Sequence, residues 1–373
     1  MVFLPPHPLP YGARHPDFPM LERLELRDFR CFTHATLEPH PETTLLVGRN
    51  AQGKTSLLEA ACLLMRLQSP RTATRTDLIR FGANTCMAEG LWNGHALRCG
   101  MSATARRLAL DGAVCGRTAD YLANSAVVVW MDHGDMNLVR GGAEHRRRFM
   151  DFAASQIEPG YLHALQGYTR ALRSRNYTLK RDAQVNWRQA DAYARIMDEF
   201  HQVLNTHRAR LLQSLEAPAH EVLTMLSMGQ EVIEVRYAPG CPGESLLEEL
   251  RAHREEEERT RTTYAGAHRD DFVVLLNGRA AEAFASEGQQ RSISLALKLA
   301  QAQVLEHARG QPPLLLIDDV FGELDPRRRR ALLDGLPPGT QKIITTTHVD
   351  WAGDLAGRMA VFTVQEAAIS SFT

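Results

Sequence analysis

The chain has 373 residues, 44% of them hydrophobic, and a formal net charge of −1 at pH 7. This length suits two or three domains with a substantial core, and the near-neutral charge excludes a uniformly polycationic nucleic-acid binder, so any basic surface must be a local patch. The six cysteines form no CxxC pair, which excludes common zinc and redox motifs and favours a reducing, cytoplasmic location.

The first twenty residues are rich in proline and histidine and lack the apolar stretch of a secretory signal. They predict a disordered tail over residues 1–20, and Met20 is an alternative start because it directly precedes the first strand pattern. The longest aliphatic runs, such as Leu314–Ile317, are far shorter than the ~20 residues that a membrane span needs. We therefore expect no membrane association.

Residues 21–135 show the alternation of strand and helix patterns that is typical of an α/β unit. Leu21–Phe29 alternates apolar and charged residues with a period of two, and Thr43–Val47 is a short aliphatic run, so both predict strands. Strong helix formers fill Thr55–Leu67. The segment Leu78–Leu110 alternates short apolar runs with turn residues, which predicts a small antiparallel sheet.

A phosphate-binding loop lies between the predicted strand at Thr43–Val47 and the helix that follows. Its sequence, GRNAQGKT, matches the pattern GxxxxGK[ST]. Glycines allow successive backbone N–H groups to point at phosphates, and the helix N-terminus adds positive potential. Lys54 is predicted to reach the β- and γ-phosphates, and Thr55 to hold Mg²⁺. We therefore expect ATP and Mg²⁺ as cofactors, with the nucleotide held by Gly48, Arg49, Asn50, Ala51, Gln52, Gly53, Lys54, Thr55 and Ser56.

Residues 136–262 change to a helical pattern and predict an arm inserted into the α/β unit. Apolar residues at helical spacing from Tyr161 to Leu179, and again from Tyr193 to Leu215, predict two helices packed on each other. A polar stretch, Lys180–Gln189, is predicted as the turn between them. Pro218 is predicted to interrupt or end the second helix.

Arginine is concentrated at the start of this arm. The segment Arg140–Arg181 has nine basic and three acidic residues, a local net charge of +6. Such an excess is expected for phosphate contact, and few acids lie four residues away to pair with it. The candidate DNA-binding residues are Arg146, Arg147, Arg148, Arg170, Arg173, Arg175 and Lys180.

Two alternatives apply to this arginine-rich segment. It can be a solvated helical face, as is also predicted for the acidic run Glu255–Glu258, and one of Arg146, Arg147 and Arg148 can hold the junction between head and arm. If it binds DNA, the tyrosines fit helix core positions, which favours contact with the duplex backbone over base stacking.

The alternation of strand and helix returns in residues 263–373. Asp271–Leu276 followed by Asn277-Gly278 predicts a strand entering a tight turn. A long helix is predicted at Gln289–His307, and buried strands at Leu314–Ile317 and Lys342–Thr346. The α/β unit is therefore predicted to be split, with residues 21–135 and 263–373 on either side of the arm.

Two adjacent carboxylates follow the strand Leu314–Ile317 and supply the acidic partner that a phosphate-binding loop needs. Asp318 is predicted to hold Mg²⁺ through water, and Asp319 to orient or deprotonate the attacking water. Three weaker signals accompany them. These are the segment Ser286-Glu287-Gly288-Gln289-Gln290 at the start of a helix, the tetrapeptide Glu323-Leu324-Asp325-Pro326, and His348 after a strand. Their order along the chain predicts an ABC-type P-loop ATPase head.

With these motifs the chain resembles the RecF family of bacterial recombination-mediator ATPases, whose heads are related to those of SMC proteins. The resemblance runs from about Leu21 to Trp351. Besides the phosphate-binding loop it is carried by LRDFR (26–30), RTATRTDLIRFG (71–82), LVRGGAEHRRRFMD (138–151), YTRALRSRN (168–176), AHRDD (267–271), FASEGQQRSISLALKLAQ (284–301) and DDVFGELDP (318–326).

The resemblance implies a homodimer whose two heads close around two ATP molecules. Ser286 and Gly288 would touch the γ-phosphate of the ATP held by the partner subunit, and His348 would sense it in its own subunit. Arg30 and Gln289 would complete the nucleotide site. The family further implies slow hydrolysis as a switch and action at gapped or duplex DNA, with RecO- and RecR-like partners, in loading a recombinase.

Two positions depart from related patterns. Glu287 replaces the first glycine of the LSGGQ motif of transporter heads, and Trp130–Asp135 stands where the family carries an FSPED-like stretch, with no obvious glutamine to act as a Q-loop ligand. The alternative functions are an ABC-type ATPase subunit of a transporter, an SMC-like tether, an ATPase-nuclease and an ATP-gated DNA clamp with negligible turnover. The arginine-rich arm disfavours the first, its short length the second, and the short segment after His348 the third.

Overall fold

The computed structural model describes residues 18–243, 245–349, 351 and 359–371. Apart from its last three residues, the predicted tail over residues 1–20 lies outside this part of the chain. The strands are β1 Leu21–Phe29, β2 Phe32–Leu37, β3 Thr43–Val47, β4 Thr85–Trp92, β5 His95–Ser102, β6 Arg106–Leu110, β7 Ala113–Val114, β8 Val128–Met131, β9 Ile233–Ala238, β10 Asp271–Leu276, β11 Arg279–Ala280, β12 Leu314–Asp318, β13 Lys342–Thr346, β14 Met359–Gln365 and β15 Ala368–Ser371. The helices are α1 Lys54–Arg66, α2 Thr118–Ala123, α3 Asn137–Arg140, α4 Ala143–Ile157, α5 Tyr161–Arg181, α6 Trp187–Ser227, α7 Leu246–Ala252, α8 Arg254–Thr260, α9 Ala281–Phe284, α10 Glu287–Arg309 and α11 Pro326–Asp334.

The strand before the phosphate-binding loop, β3, lies inside a mostly parallel sheet. Its order is β15-β14-β3-β13-β12-β8, and only β15 pairs in the antiparallel sense. Since β3 and β8 come from the first part of the chain and the others from the last, both parts build one sheet. The α/β fold class with an inserted arm is therefore confirmed.

Helix α1 fills the space between this sheet and a second, antiparallel one in the order β2-β1-β4-β5-β6-β7. All but one of its residues are buried, because apolar surface meets it from both sheets. Along β12, Leu314 and Leu316 pack into the core around α1, while Leu315 and Ile317 face the opposite core around α10. This alternation is what a central strand with two covered faces requires.

The arm is built on α5 and α6, which pack against each other as the two apolar stripes predict. Helix α6 runs for 41 residues and continues through Pro218 to Ser227, so the predicted break is wrong. Proline lacks the N–H that would bond the carbonyl of Ser214. Apolar residues on both sides of it are buried in the core shared with α10, and this packing keeps the helix intact. They are Leu211, Leu212, Leu215, Ala219, Val222 and Leu223.

The arm and the second part of the head are joined by continuous packing. Strand β9, in the predicted arm, pairs along its whole length with β10, and β11 completes a three-stranded sheet. Arg208 on α6 is 2% exposed; its guanidinium donates to Asp270 at 2.6 Å and to Asp151 at 2.7 Å. The boundary predicted between residues 262 and 263 therefore crosses a shared core. No helix within the described residues is long and apolar enough to span a membrane.

Candidate nucleotide site and arginine-rich surface

Two glycines shape the phosphate-binding loop. A Cβ atom on Gly48 would stand 2.2 Å from the carbonyl oxygen of Val364 in the neighbouring strand β14. Gly53 has a φ of 107°, and a Cβ there would stand 2.8 Å from the ring of Phe32 and 2.9 Å from the sulfur of Cys31. Only glycine fits both positions without displacing its neighbours.

Lys54 opens α1, and its side chain folds back over the loop. Its ammonium donates to the carbonyl oxygens of Gly48 at 2.6 Å and Arg49 at 3.0 Å. Burial lowers the pKa of Lys54, and the charges of Asp319 and Asp318 oppose that shift. A cation and the N-terminus of a 13-residue helix therefore point at the same place, which is an arrangement that binds phosphate.

The predicted magnesium ligands meet although they are far apart in sequence. The hydroxyl of Thr55 donates to Oδ1 of Asp318 at 2.9 Å, and the hydroxyl of Thr345 donates to the same oxygen at 2.7 Å. Burial raises the pKa of Asp318, and these two hydrogen bonds oppose the shift. Sequence reasoning missed Thr345; its only signal was a hydroxyl at the end of a buried aliphatic strand.

The oxygen ligands present fit Mg²⁺. This ion keeps several waters and takes one or two protein oxygens together with phosphate oxygens, and Thr55 and Asp318 are ligands of that kind. No cluster of three or more His, Cys, Asp or Glu side chains suited to a metal occurs in the described part of the chain. The metal prediction for Thr55 and Asp318 therefore depends on nucleotide phosphates to complete the site.

Asp319 leaves the strand in a left-handed conformation with a φ of 56°. Its N–H donates to the hydroxyl of Thr345 at 2.9 Å, which fixes the turn. Aspartate and asparagine tolerate this region better than most residues. The charges of Asp319 and Asp318 both act on the ammonium of Lys54.

His348 follows β13, the strand between β3 and β12. It is exposed, and its backbone is held by Thr346, whose hydroxyl donates to the carbonyl of His348 at 2.9 Å. Because the carboxyl ends of parallel strands meet at one edge of a sheet, the phosphate-binding loop, the acidic pair and His348 share that edge.

Ser286 is the N-cap of α10, as its position at the start of a predicted helix requires. Its side chain accepts from the N–H of Gln289 at 3.3 Å, and Gln289 Oε1 accepts from the N–H of Ser286 at 2.8 Å, which forms a capping box. Gln289 also donates to Glu231 at 2.8 Å. Among the described residues, no hydrogen bond joins Ser286–Gln289 to the phosphate-binding loop.

The segment Trp130–Asp135 has no glutamine to act as a Q-loop ligand, but it carries two carboxylates. Asp132 directly follows β8, caps the short turn after it, and its charge contributes to the raised pKa of Asp318. Asp135 accepts from the buried ammonium of Lys298, on α10, at 2.8 Å. Burial raises the pKa of Asp135 to about 6, against the opposing charge of Lys298. An ion pair therefore links this turn to the helix that Ser286 caps.

Arg30 is held beside α1 by Glu59, which sequence reasoning missed. The guanidinium donates to both oxygens of this buried carboxylate, at 2.8 and 2.7 Å, and Arg71 approaches it at 3.4 Å. Glu59 lies four residues after Thr55, on the same face of the helix. The charge of Arg71 also opposes the raised pKa of Asp318. Contact of Arg30 with the nucleotide stays a prediction.

Two of the predicted DNA-binding arginines, Arg146 and Arg175, are buried in ion pairs, so neither guanidinium is exposed to DNA in this structure. Arg146 is 8% exposed and donates to both oxygens of Asp271 at 2.6 and 2.9 Å. Arg175 is 1% exposed and donates to both oxygens of Glu257 at 2.8 and 2.7 Å. Glu257, predicted to be solvated, is thus fully buried.

The remaining candidates differ in their surroundings. Arg147 is half-buried and donates to the carbonyl of Asp270 at 2.9 Å. Arg148 is exposed and pairs with Glu144 one turn away at 2.5 Å. Three residues remain on one exposed face of α5, at helical spacing together with the exposed Tyr177: Arg170, Arg173 and Lys180. We refer to these three as the α5 basic stripe.

The chain is similar to proteins of DNA repair and to heads of known fold. A family model for an AAA domain matches residues 23–88. The DNA replication and repair protein RecF of a Synechococcus species is 37% identical, over 88% of this chain and 91% of its own length. That of Geobacillus thermodenitrificans is 32% identical, over 94% and 99%.

Solved structures show the same likeness. The recombination mediator protein RecF-ATP in the RecFOR pathway has a TM-score of 0.85 and 25% identity, over 97% of this chain and 100% of its own. The Smc head domain from Pyrococcus furiosus, at 15% identity and a TM-score of 0.54, covers 95% of this chain and 97% of its own. The second likeness shows the fold alone.

Proposed function

Because the chain belongs to the RecF family, we propose that it is an ATP-driven DNA-binding protein of recombinational repair and replication-fork maintenance. ATP closes two heads into a dimer, the dimer binds gapped or duplex DNA, and slow hydrolysis opens it again. RecO- and RecR-like proteins act with it in loading a recombinase. One observation carries this proposal. Lys54, Asp318 and Asp319 share one edge of the sheet, whereas Gln289 of the Ser286 motif is hydrogen-bonded to Glu231. One chain therefore offers two separate halves of a nucleotide site.

In the proposed reaction, water attacks the γ-phosphorus of ATP and releases ADP and phosphate. Lys54 and the N-terminus of α1 bind the phosphates, and the left-handed turn at Asp319 directs its carboxylate to orient the water and accept its proton. Bound Mg²⁺, held by Thr55 and Asp318, supplies charge neutralisation. His348, at the same edge, contacts the γ-phosphate, and the partner's Ser286 completes the site.

Replacing Ser286 with arginine is expected to leave ATP binding by the monomer intact and to abolish ATP-dependent dimerisation. An anion is favoured at the exposed N-terminus of α10, and a bulky cation there both repels the helix end and fills the space for the partner's phosphate. Sedimentation with ATP and with ADP measures the dimer. Ser245→Arg, which removes a serine N-cap from α7 instead, is the matched control. Dimers that persist in Ser286→Arg contradict action of the serine in the partner's site.

Replacing the α5 basic stripe with alanine is expected to weaken DNA binding and reduce its salt dependence. The slope of log affinity against log salt should fall by about 0.9 for each phosphate contact that is lost. The measurement is DNA affinity of Arg170/Arg173/Lys180→Ala against salt, with ATP present. Arg236→Ala is the control, because Arg236 is exposed on β9 and paired with Glu234. An unchanged slope places the DNA site elsewhere, first on the head around Arg71–Arg80.

A further inference from the structure

One guanidinium, that of Arg328 in the first turn of α11, bonds two other segments at once. Its Nη2 donates to the carbonyl oxygen of Gly288 at 3.0 Å, and its Nε donates to the hydroxyl of Ser292 at 3.1 Å. Its Nη1 donates to the carboxylate of Asp325 at 2.6 Å. All three nitrogens therefore have partners, two on α10 and one on the segment that precedes α11.

Asp325 is itself fixed by this arrangement. Its second oxygen caps α11 by accepting the N–H of Arg328 at 3.0 Å. Hydrogen bonding to that N–H, together with the charge of the guanidinium, lowers the pKa of Asp325. Only five residues separate Asp325 from Asp319. Arg328 thus joins the segment that follows Asp319 to the first turn of α10.

The first turn of α10 belongs to the other nucleotide site. Under the proposed function, Ser286 and Gly288 act on the ATP of the partner, whereas Asp319 acts on the ATP of its own subunit. Each chain therefore contributes to both sites, and the contacts of Arg328 form a direct polar link between the segments that carry these two contributions. These hydrogen bonds form a path from the first turn of α10, through Gly288 and Arg328, to Asp325.

We infer that Arg328 is a positioning residue that couples the two ATP sites of the dimer, an inference that rests on the proposed function. Binding of ATP in one site sets the position of the segment from Asp319 to Asp325 in the other site. The rate of hydrolysis therefore depends cooperatively on the ATP concentration. A planar guanidinium is required, because three donors must reach three acceptors in fixed directions, and the ammonium of lysine cannot span them.

The test compares Arg328→Gln, Arg328→Lys and the control Arg327→Gln in the full chain. Arg327 is exposed, precedes Arg328 and donates to the carbonyl of Met225 at 3.3 Å, away from Gly288. For each protein we would measure ADP affinity, the midpoint of thermal unfolding, ATP-dependent dimerisation and the Hill coefficient of hydrolysis against ATP. ADP affinity should be unchanged throughout, because none of these side chains contacts the phosphate-binding loop.

The expected Hill coefficient approaches 2, the number of sites, in the unmodified chain and in Arg327→Gln, and falls to about 1 in both Arg328 variants. Lysine retains the ion pair with Asp325 and should restore thermal stability without restoring cooperativity. A purely local role in holding Asp325 predicts that cooperativity is unchanged in both variants, so cooperativity restored by lysine, or retained by glutamine, overturns the inference. A Hill coefficient of 1 in an unmodified chain that forms ATP-dependent dimers also overturns the inference, whereas the absence of ATP-dependent dimers contradicts the proposed function itself.

Discussion

Replacing Asp319 with asparagine is expected to stop hydrolysis and leave an ATP-bound dimer that persists. The carboxylate that orients the water and accepts its proton is lost, and such a group contributes roughly 10²–10⁴-fold to a rate. Asp318 keeps its hydrogen bonds from Thr55 and Thr345, so the metal ligands are unchanged. ATP therefore still binds and closes the heads.

Asparagine is the right replacement because of the backbone at this position. With a φ of 56°, Asp319 occupies the left-handed region, in which asparagine is tolerated and alanine is strained. The measurements are multiple-turnover hydrolysis and the lifetime of the dimer after ATP is diluted. Asp318→Asn serves as the contrasting variant, since it should weaken dimer formation by removing a metal ligand.

Two results would change the assignment. Hydrolysis at the unmodified rate in Asp319→Asn shows that another residue activates water. Equal dimer lifetimes in the unmodified chain and in Asp319→Asn, with negligible turnover in both, favour the alternative of an ATP-gated clamp. Hydrolysis would then not determine when the dimer opens.

The elements of the head could be predicted from the sequence because their signals are local. The aliphatic run of β3, the glycines of the phosphate-binding loop and the acidic pair after β12 each lie within a few residues. Ser286 and Gln289 carry the three-residue spacing of a capping box, so the start of α10 could also be read. These local signals place the carboxyl edge of the sheet correctly.

Features that depend on distant partners could not be predicted. Arg146 and Asp271 are 125 residues apart, and Arg175 and Glu257 are 82 apart. A count of acidic residues within one helical turn therefore predicts that both arginines are unpaired and available to bind DNA. The same limit hid Glu59 as the anchor of Arg30. Pro218 was misjudged because the packing of α6 against α10 is a tertiary effect that outweighs a local helix breaker.

The burial of Arg175 gives the second large prediction, since Arg175→Ala is expected to destabilise the arm by about 3–5 kcal/mol. Removing the guanidinium leaves the carboxylate of Glu257 buried without its cation, and it also removes the hydrogen bond to Thr263 at 2.9 Å. Arg173→Ala is the matched control. Arg173 lies two residues earlier on α5 and is exposed, so its replacement should change stability by less than about 0.5 kcal/mol. Urea unfolding of both variants measures the difference.

A double replacement separates this structural role from the DNA role first predicted for Arg175. Arg175→Met combined with Glu257→Leu removes both charges, so no unpaired carboxylate is buried, and much of the lost stability should return. Because Arg175 does not reach the surface, this double variant should bind DNA with the salt dependence of the unmodified chain, whereas loss of the α5 basic stripe should lower it. A stable double variant with a reduced salt slope would instead mean that Arg175 leaves Glu257 to contact phosphate when DNA binds.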